Sequence, residues 1–449
     1  MAASTTQSAH AFTPDAARAL AGPDWLADRR LQAAERLAAA EPPTTEAEIW
    51  RYSRIDEFDP SAWRPAALPP VGEQAEDHAI PVAVRSAAEQ MVQRSGLVVA
   101  VNGRVVHAEL DPALESKGVM VGDAATECAE EAREDFGAVT DASPDWFTDL
   151  HDAFTPGGPF VAVPAGVVVD RPILVFQFVD GPDGSAAFPH TLVVAGEGSH
   201  LPVLEHRSSG GAGLLSSAVA EIAVGDNANV DYLSVQHLGR RTFEVALQRA
   251  HLGRNARLTS GAVALGGSYA RLRSESMARG EGSEAKLLAV YFADGDQMLD
   301  FRTLQDHEAP RSSSDLLFKG AVEHRAHSVY SGLIRLRETA QKAGAHQTNR
   351  TLKLSRESHA ESVPNLEILA NDVQCTHASA IGPIDPDELY YLESRGIPPA
   401  VAEQLVVTGF FEDVFARLPL GALVAPLRQA VAEKFARRDR DVAEEVRGA

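Results

Sequence analysis

The sequence is poor in cysteine, in aromatic rings and in positive charge, and each shortage closes off a class of protein. Only two cysteines, Cys128 and Cys375, occur in 449 residues, far apart in the chain. That excludes a disulfide framework and fits a reducing compartment. Basic residues number 41 against 63 acidic ones, a net charge of −22. A phosphate-backbone binder needs the opposite balance, whereas an acidic surface suits solubility and basic partners. No apolar run approaches the ~20 residues of a membrane helix; the longest, 160–179, is interrupted by Pro164, Asp170, Arg171 and Pro172. The opening MAASTTQSAH has neither the basic nor the apolar region of a signal peptide. The expectation is a cytoplasmic protein with no nucleic-acid or membrane partner. Motifs are missing too. There is no GxxxxGK[ST], GxSxG or HExxH, so nothing points to a P-loop ATPase, a serine hydrolase or a zinc protease.

What is present is 45% hydrophobic residues over a length that suits two or three domains or one long repetitive one. Residues 1–15 are small and polar and read as disordered. Ala27, Leu31, Ala34 and Ala38 then mark a helical face, ended by Pro42 and Pro43. Thr45 with Glu48 reads as a capping box for a second short helix through Trp50. Residues 60–80 read as a linker. Asn102-Gly103 between two apolar runs signals a hairpin with a type I′ turn. Residues 108–156 are acidic and part helical, anchored by Trp146, Phe147 and Phe154.

From Phe160 the texture becomes strand-like and a repeat emerges. Gly196, Gly225, Gly253 and Gly280 lie 29, 28 and 27 residues apart, each followed three residues on by a small one: Ser199, Ala228, Ala256 and Ser283. Such a period means stacked supersecondary units. The glycine permits a corner and the small residue lets corners stack. Strands flank the corners, so the best fit is a parallel β-helix of roughly one coil per repeat. The register frays after about Tyr291, although strand-like pieces continue to Val373. The expected plan is therefore mainly β: an N-terminal helical and α+β cap over 1–156, a parallel β-helix core over 157–380, and a C-terminal helical region over 381–449.

The stretch 371–397, NDVQCTHASAIGPIDPDELYYLESRGI, joins the last two parts. If 371–377 is extended, Cys375 and His377 share one face. A soft sulfur and a borderline nitrogen on one face could serve one metal, yet a closed site wants about four ligands. Two readings stay open: a buried thiol beside a satisfied core histidine, or half a metal site completed from elsewhere. Asp385, Pro386 and Glu388 then signal a helix start, and Gly396 its stop. A second helix spans about 399–417, and a third, charged one follows Pro419. In the second, Val406, Phe410, Val414 and Leu418 recur every four residues, as do Val407, Phe411 and Phe415. That face is wider than one packing contact needs. Either both flanks bury within the chain, or Phe410, Phe411, Val414 and Phe415 dock a partner. His307, His324, His327, His346, His359 and His377 cluster in sequence, as outward polar residues or as metal ligands.

The string PNLEI, DVQCTH and ID-x-DELYYLESRGI, followed by the apolar helix, resembles the SufB/SufD family of iron–sulfur cluster assembly proteins, nearest its SufD branch. The SufB branch carries a Glu-His-Glu type sequence where this chain has Cys375-Thr376-His377. The SufD string continues with Gly-Ala-Thr; here Ala378-Ser379-Ala380 stands instead. The resemblance implies a right-handed parallel β-helix that pairs with a SufB-like paralogue, and C-terminal helices that bind a SufC-like ABC ATPase. It implies a non-enzymatic scaffold, with a transient iron–sulfur cluster built at the paralogue interface. His377 would be a ligand from this subunit and Cys375 the accompanying thiol. A reduced flavin is associated with the complex as a whole. The competing readings are a SufB-type paralogue, a stand-alone iron-binding β-helix homodimer, and a β-helix carbohydrate-active enzyme. The last is disfavoured by an aromatic content of 6%.

Overall fold

The computed structural model describes residues 11–70, 80–91, 93–140 and 145–435. Its centre is a parallel β-solenoid of about eight coils, flanked by N-terminal and C-terminal helices. The chain alternates between two sheets. The first holds Pro159–Val163, His190–Ala195, Leu214–Val224, Phe243–Leu252, Tyr269–Ala278, Met298–His307, His327–Leu336 and His359–Ile368. The second holds Ile173–Val179, His200–Ser209, Asn229–His237, Arg257–Ala264, Glu284–Ala293, Ser313–Val322, Gly344–Lys353 and Gln374–Pro383. Each strand pairs with the strand of the next coil in unbroken register, as from Tyr269↔Met298 to Ala278↔His307.

The corners show why the repeat exists. Ser199, Ala228, Ala256 and Ser283 are fully buried. A Cβ on Gly225 would lie 2.8 Å from the Ala195 carbonyl oxygen of the coil beneath. The residue before each small one is left-handed: Gly198, Asn227, Asn255 and Gly282, with φ of +66°, +57°, +54° and +71°. Glycine and asparagine are the residues that tolerate this region best. Contrary to expectation, the register does not fray after Tyr291. The corners Ala309–Ser312 and Ala340–Ala343 carry it on, with Arg311 and Lys342 left-handed at φ of +55° and +63°.

The N-terminal end of the solenoid is closed. In the hairpin Gly96–Val101 and Arg104–Leu110, Asn102 and Gly103 have φ of +51° and +88°, as the turn signal requires. Its first strand adds parallel to Ile173–Val179, and Met120–Asp123 adds antiparallel to Pro159–Val163. Helices α1 (Asp24–Ala39) and α2 (Trp146–Phe154) pack together, with α2 against the outer face of the first sheet. Arg29 and Arg36 of α1 pair with Asp152 and Asp149 of α2 at 2.8 and 2.7 Å. His151 of α2 reaches the Ser217 carbonyl at 2.7 Å and His190 at 3.0 Å. Glu221 beside them accepts the backbone N–H groups of Gly137 and Val139 at 2.7 and 2.8 Å. The capping box is not formed: the Thr45 hydroxyl donates to Asp56 at 2.9 Å, and Glu48–Trp50 is a short 3-10 turn without a side-chain cap. Of the segment expected to be disordered, 1–10 lies outside the described residues, while Thr13 caps a short helix over Pro14–Arg18. Of the expected linker, 71–79 lies outside them as well.

The C-terminal helices are α3 (Pro386–Glu393), α4 (Pro399–Phe415) and α5 (424–435). Asp385 caps α3, accepting from the Asp387 N–H at 2.9 Å, and Gly396 ends that segment at φ of +82°. α4 and α5 lie on the outer face of the second sheet, against Leu288, Val290, Phe292 and Leu317. The approach is close: a Cβ on Gly261 would come within 2.7 Å of Leu418. Two lysines fasten the helices. Lys319 donates to the Phe410 carbonyl at 3.0 Å and pairs with Asp413 at 3.1 Å. Lys434, buried, donates to the Leu265 carbonyl at 2.7 Å and Gln297 at 2.8 Å, and also to the Phe292 carbonyl. Among the described residues no helix is long and apolar enough to cross a membrane.

Candidate functional site at the open end of the solenoid

The C-terminal end of the solenoid is open. His359–Ile368 pairs with His327–Leu336, and Gln374–Pro383 with Gly344–Lys353; among the described residues neither strand has a partner on its other edge. Each therefore leaves a row of backbone N–H and C=O groups unpaired, a template for another strand. The lumen beneath is uncovered too. In the penultimate coil the lumen-facing residues Ala345, Gln347, Asn349 and Thr351 are buried. Their register partners one coil on are Cys375, His377, Ser379 and Ile381. Of these, Cys375 is half-buried and the other three are exposed. Leu366, Ile368, Leu369 and Ile381 form an apolar rim, 39–53% exposed. Large apolar groups clustered at an unpaired strand edge mark an interaction surface.

Cys375 and His377 sit together in this opening. As the strand reading requires, they alternate with Thr376 and share the lumen face. Cys375 packs beside Ile334, Leu336 and Ala345, and burial raises its thiol above the ordinary range. It is a protonated thiol that a metal ion would have to convert to thiolate. The strand's outward face is separate: Thr376 shares a 2.7 Å hydrogen bond with His346. Behind the opening, Ser379 meets Ser362 at 2.6 Å, and Asn349 donates to Ser362 at 3.1 Å. The terminal coil thus offers one sulfur and one nitrogen at an open, polar-floored mouth.

The other histidines do not join them. His307 is buried between Ser312 and Ser314, at 2.7 and 2.8 Å, and burial pushes its ring down to about 4. His324 stands in a corner at φ of +54°, not on a strand. His327 pairs with Glu361 on the outer face, with the His359 ring 6.1 Å away. Among the described residues no three or more histidine, cysteine or acidic side chains are placed to hold a metal ion. Cys375 and His377 are thus an incomplete set.

The apolar face of α4 divides differently from the expectation. Phe411, Val414 and Phe415 are buried against the second sheet and α5, within this chain. Their width of face is used because α4 meets both neighbours at once. Phe410 is half-buried and lines a cleft of about 840 Å³ between α3 and α4, with Leu352, Ile384, Leu392, Leu405 and Val406. The exposed apolar groups of α3 and α4 are Tyr390, Tyr391, Val401 and Leu405, of which Tyr391 and Leu405 line the cleft. Sequence reasoning passed over them, although Val401 and Leu405 are four apart, off the stripe formed by Val407, Phe411, Val414 and Phe415. It also passed over Gln347 and the rim residues, which only strand register brings to Cys375 and His377.

Comparison with known proteins gives two family matches that together cover most of the chain. Residues 20–175 match the SufBD protein N-terminal region. Residues 178–410 match the SufBD core domain of SUF-system FeS cluster assembly. An iron–sulfur cluster assembly SufBD family protein of Mycobacterium tuberculosis is 36% identical over 263 residues, 56% of this chain and 65% of that relative. The chain thus spans just under two thirds of that protein's length. The iron–sulfur cluster assembly protein SufD of Bacillus subtilis is 28% identical over 424 residues, 92% of this chain and 94% of that protein. A SufBD family protein of Staphylococcus epidermidis is 27% identical over 331 residues, 73% of this chain and 71% of the relative.

Proposed function

The chain belongs to the SufBD family of SUF-system iron–sulfur cluster assembly proteins and is SufD-like; from that membership we propose that it is a non-ATPase scaffold subunit. In this reading it pairs with a SufB-like paralogue and carries a SufC-like ABC ATPase. The observation that carries it is the open terminal coil. Two unpaired strand edges and an apolar rim ask for another chain, and the same opening presents a thiol and an imidazole that do not complete a metal site. A partner seated there would cover the rim and supply the missing ligands. The iron–sulfur cluster is cargo at that junction, built and passed on. His377 is its ligand from this chain, because it is exposed and lies on the lumen face. Cys375 is the accompanying thiol, half-buried and dependent on the metal for its ionisation. The alternative of a stand-alone homodimer would place two copies of the same incomplete pair face to face.

The ATPase would dock at the cleft between α3 and α4. Tyr391, Leu405 and the half-buried Phe410 line the cleft there, and Tyr390 and Val401 are exposed on the same two helices. Phe411, Val414 and Phe415 would support that surface from beneath. A reduced flavin rests on the family likeness alone, and no residue here is assigned to it. The test of the ligand role is His377→Ala in the full chain co-purified with both partners. Cluster yield should fall while the melting temperature and the co-purification hold. Unchanged yield from an intact assembly would remove His377 as a ligand.

A further inference from the structure

Gln347 lies one coil below His377. The two are register partners in adjacent parallel strands, a separation of about 4.8 Å, and both face the lumen. Gln347 is 2% exposed, and among the described residues its Oε1 has no hydrogen-bond partner. Its Nε2 end lies against the Tyr330 hydroxyl, which also meets Thr303 at 3.0 Å. Its neighbours along the strand are satisfied: Asn349 donates to Ser362, and Thr351 meets Tyr291 at 2.7 Å. Space has been kept for this amide, since a Cβ on Gly332 would come within 2.2 Å of its Nε2. A buried amide oxygen left open asks for a reason.

The chemistry of a metal-binding imidazole supplies one. When one ring nitrogen binds a metal, the other almost always donates its N–H to a fixed acceptor, which sets the tautomer and the ring orientation. The Gln347 Oε1 is an open acceptor in the same lumen column as His377. We propose that Gln347 is the positioning residue for His377, its Oε1 accepting one ring N–H so that the other nitrogen presents its lone pair at the mouth of the terminal coil. This rests on the reading of His377 as a ligand. The polar floor of the lumen is then part of the site, one coil behind the residues that touch the cargo.

The test uses the full-length chain labelled with ¹⁵N-histidine, with the His377 ring signals assigned by their loss in His377→Ala. At pH 8 the wild type should show His377 in a single tautomer. Gln347→Met, which keeps the shape and removes the acceptor, should give a mixture. Gln347→Glu, which keeps an acceptor, should retain one tautomer. Affinity for Co²⁺, used as a spectroscopic probe on the assembly with both partners, should fall about 10–100-fold in Gln347→Met. A tautomer mixture in the wild type, or a single unchanged tautomer in Gln347→Met, overturns the proposal. Should Gln347→Met not fold, loss of the single tautomer in Gln347→Glu overturns it. The two readings separate cleanly. If His377→Ala leaves Co²⁺ binding unchanged, the ligand role fails; if it abolishes binding that Gln347→Met leaves intact, the positioning role alone fails.

Discussion

Replacing Phe411 with alanine should loosen the C-terminal helices from the solenoid without touching the open terminal coil. Phe411 is fully buried between α4 and the second sheet, with the Phe410 and Phe415 rings 5.5 and 6.4 Å away. Nothing nearby can collapse into the space, because the sheet is held in register on one side and α5 on the other. Removing a buried phenyl group from such a site costs about 3–5 kcal/mol. At about 1.4 kcal/mol per factor of ten, that is roughly 10²–10³·⁵ in the local opening equilibrium. The loss should be regional, since a chain of separate packing units need not unfold in one step. The assay is hydrogen exchange across 399–415 and 424–435, with the solenoid strands as an internal reference. Leu405→Asp is the counterpart: Leu405 is 49% exposed at the cleft, so its stability change should stay within about 0.5 kcal/mol while ATPase capture weakens. Unchanged exchange in Phe411→Ala, or equal destabilisation by Leu405→Asp, would refute this division of the helix into a core side and a docking side.

Two further outcomes follow from buried charge. His206 is held down to about 4, first by burial and then by His237 and Arg207, and among the described residues its Nδ1 has no hydrogen-bond partner. The unfolded chain takes up a proton below about 6.5 that the folded chain refuses, so this contribution is fully present above that pH and is lost as pH falls toward 4; it amounts to at most about 3 kcal/mol. His206→Phe, with Phe176 already 5.4 Å from the ring, should flatten the acid limb of a melting-temperature profile; an unchanged slope contradicts the assignment. Lys434→Met strips the charge that satisfies two carbonyls, Gln297 and Asp294, at a cost of about 3–5 kcal/mol for breaking a buried pair. It should release 424–435 to limited proteolysis at neutral pH, and resistance equal to wild type would argue against the anchor.

The repeat was legible because four consecutive corners obey one local rule. Gly198, Asn227, Asn255 and Gly282 each occupy the left-handed position with a residue suited to it. The signal fades after Tyr291 because Arg311 and Lys342 hold the same backbone shape with residues that announce nothing, while Ser312 and Ala343 still supply the buried small side chain. The hairpin at Asn102-Gly103 and the cap at Asp385 were readable for the same reason, as their causes lie within a few residues. The Thr45 cap was a signal within four residues overruled by a carboxylate just outside that window, Asp56. Which face of α4 is buried, and what Lys434 holds, depend on contacts more than a hundred residues away, as between Lys434 and Leu265. At the candidate site, Cys375 and His377 could be placed on one face from alternation alone. That Gln347 lies beneath them, and that the coil is open, depends on register across the whole solenoid.

The most direct test of the scaffold reading is the native mass of this chain co-expressed with a SufB-like paralogue and a SufC-like ATPase, beside the same experiment with Ile381→Asp at the open rim. A stable assembly of all three chains is expected, from which the rim substitution releases the paralogue while the ATPase stays bound to this chain. A chain that remains a monomer or homodimer beside both partners, or a paralogue that stays bound despite the charged rim, would contradict it.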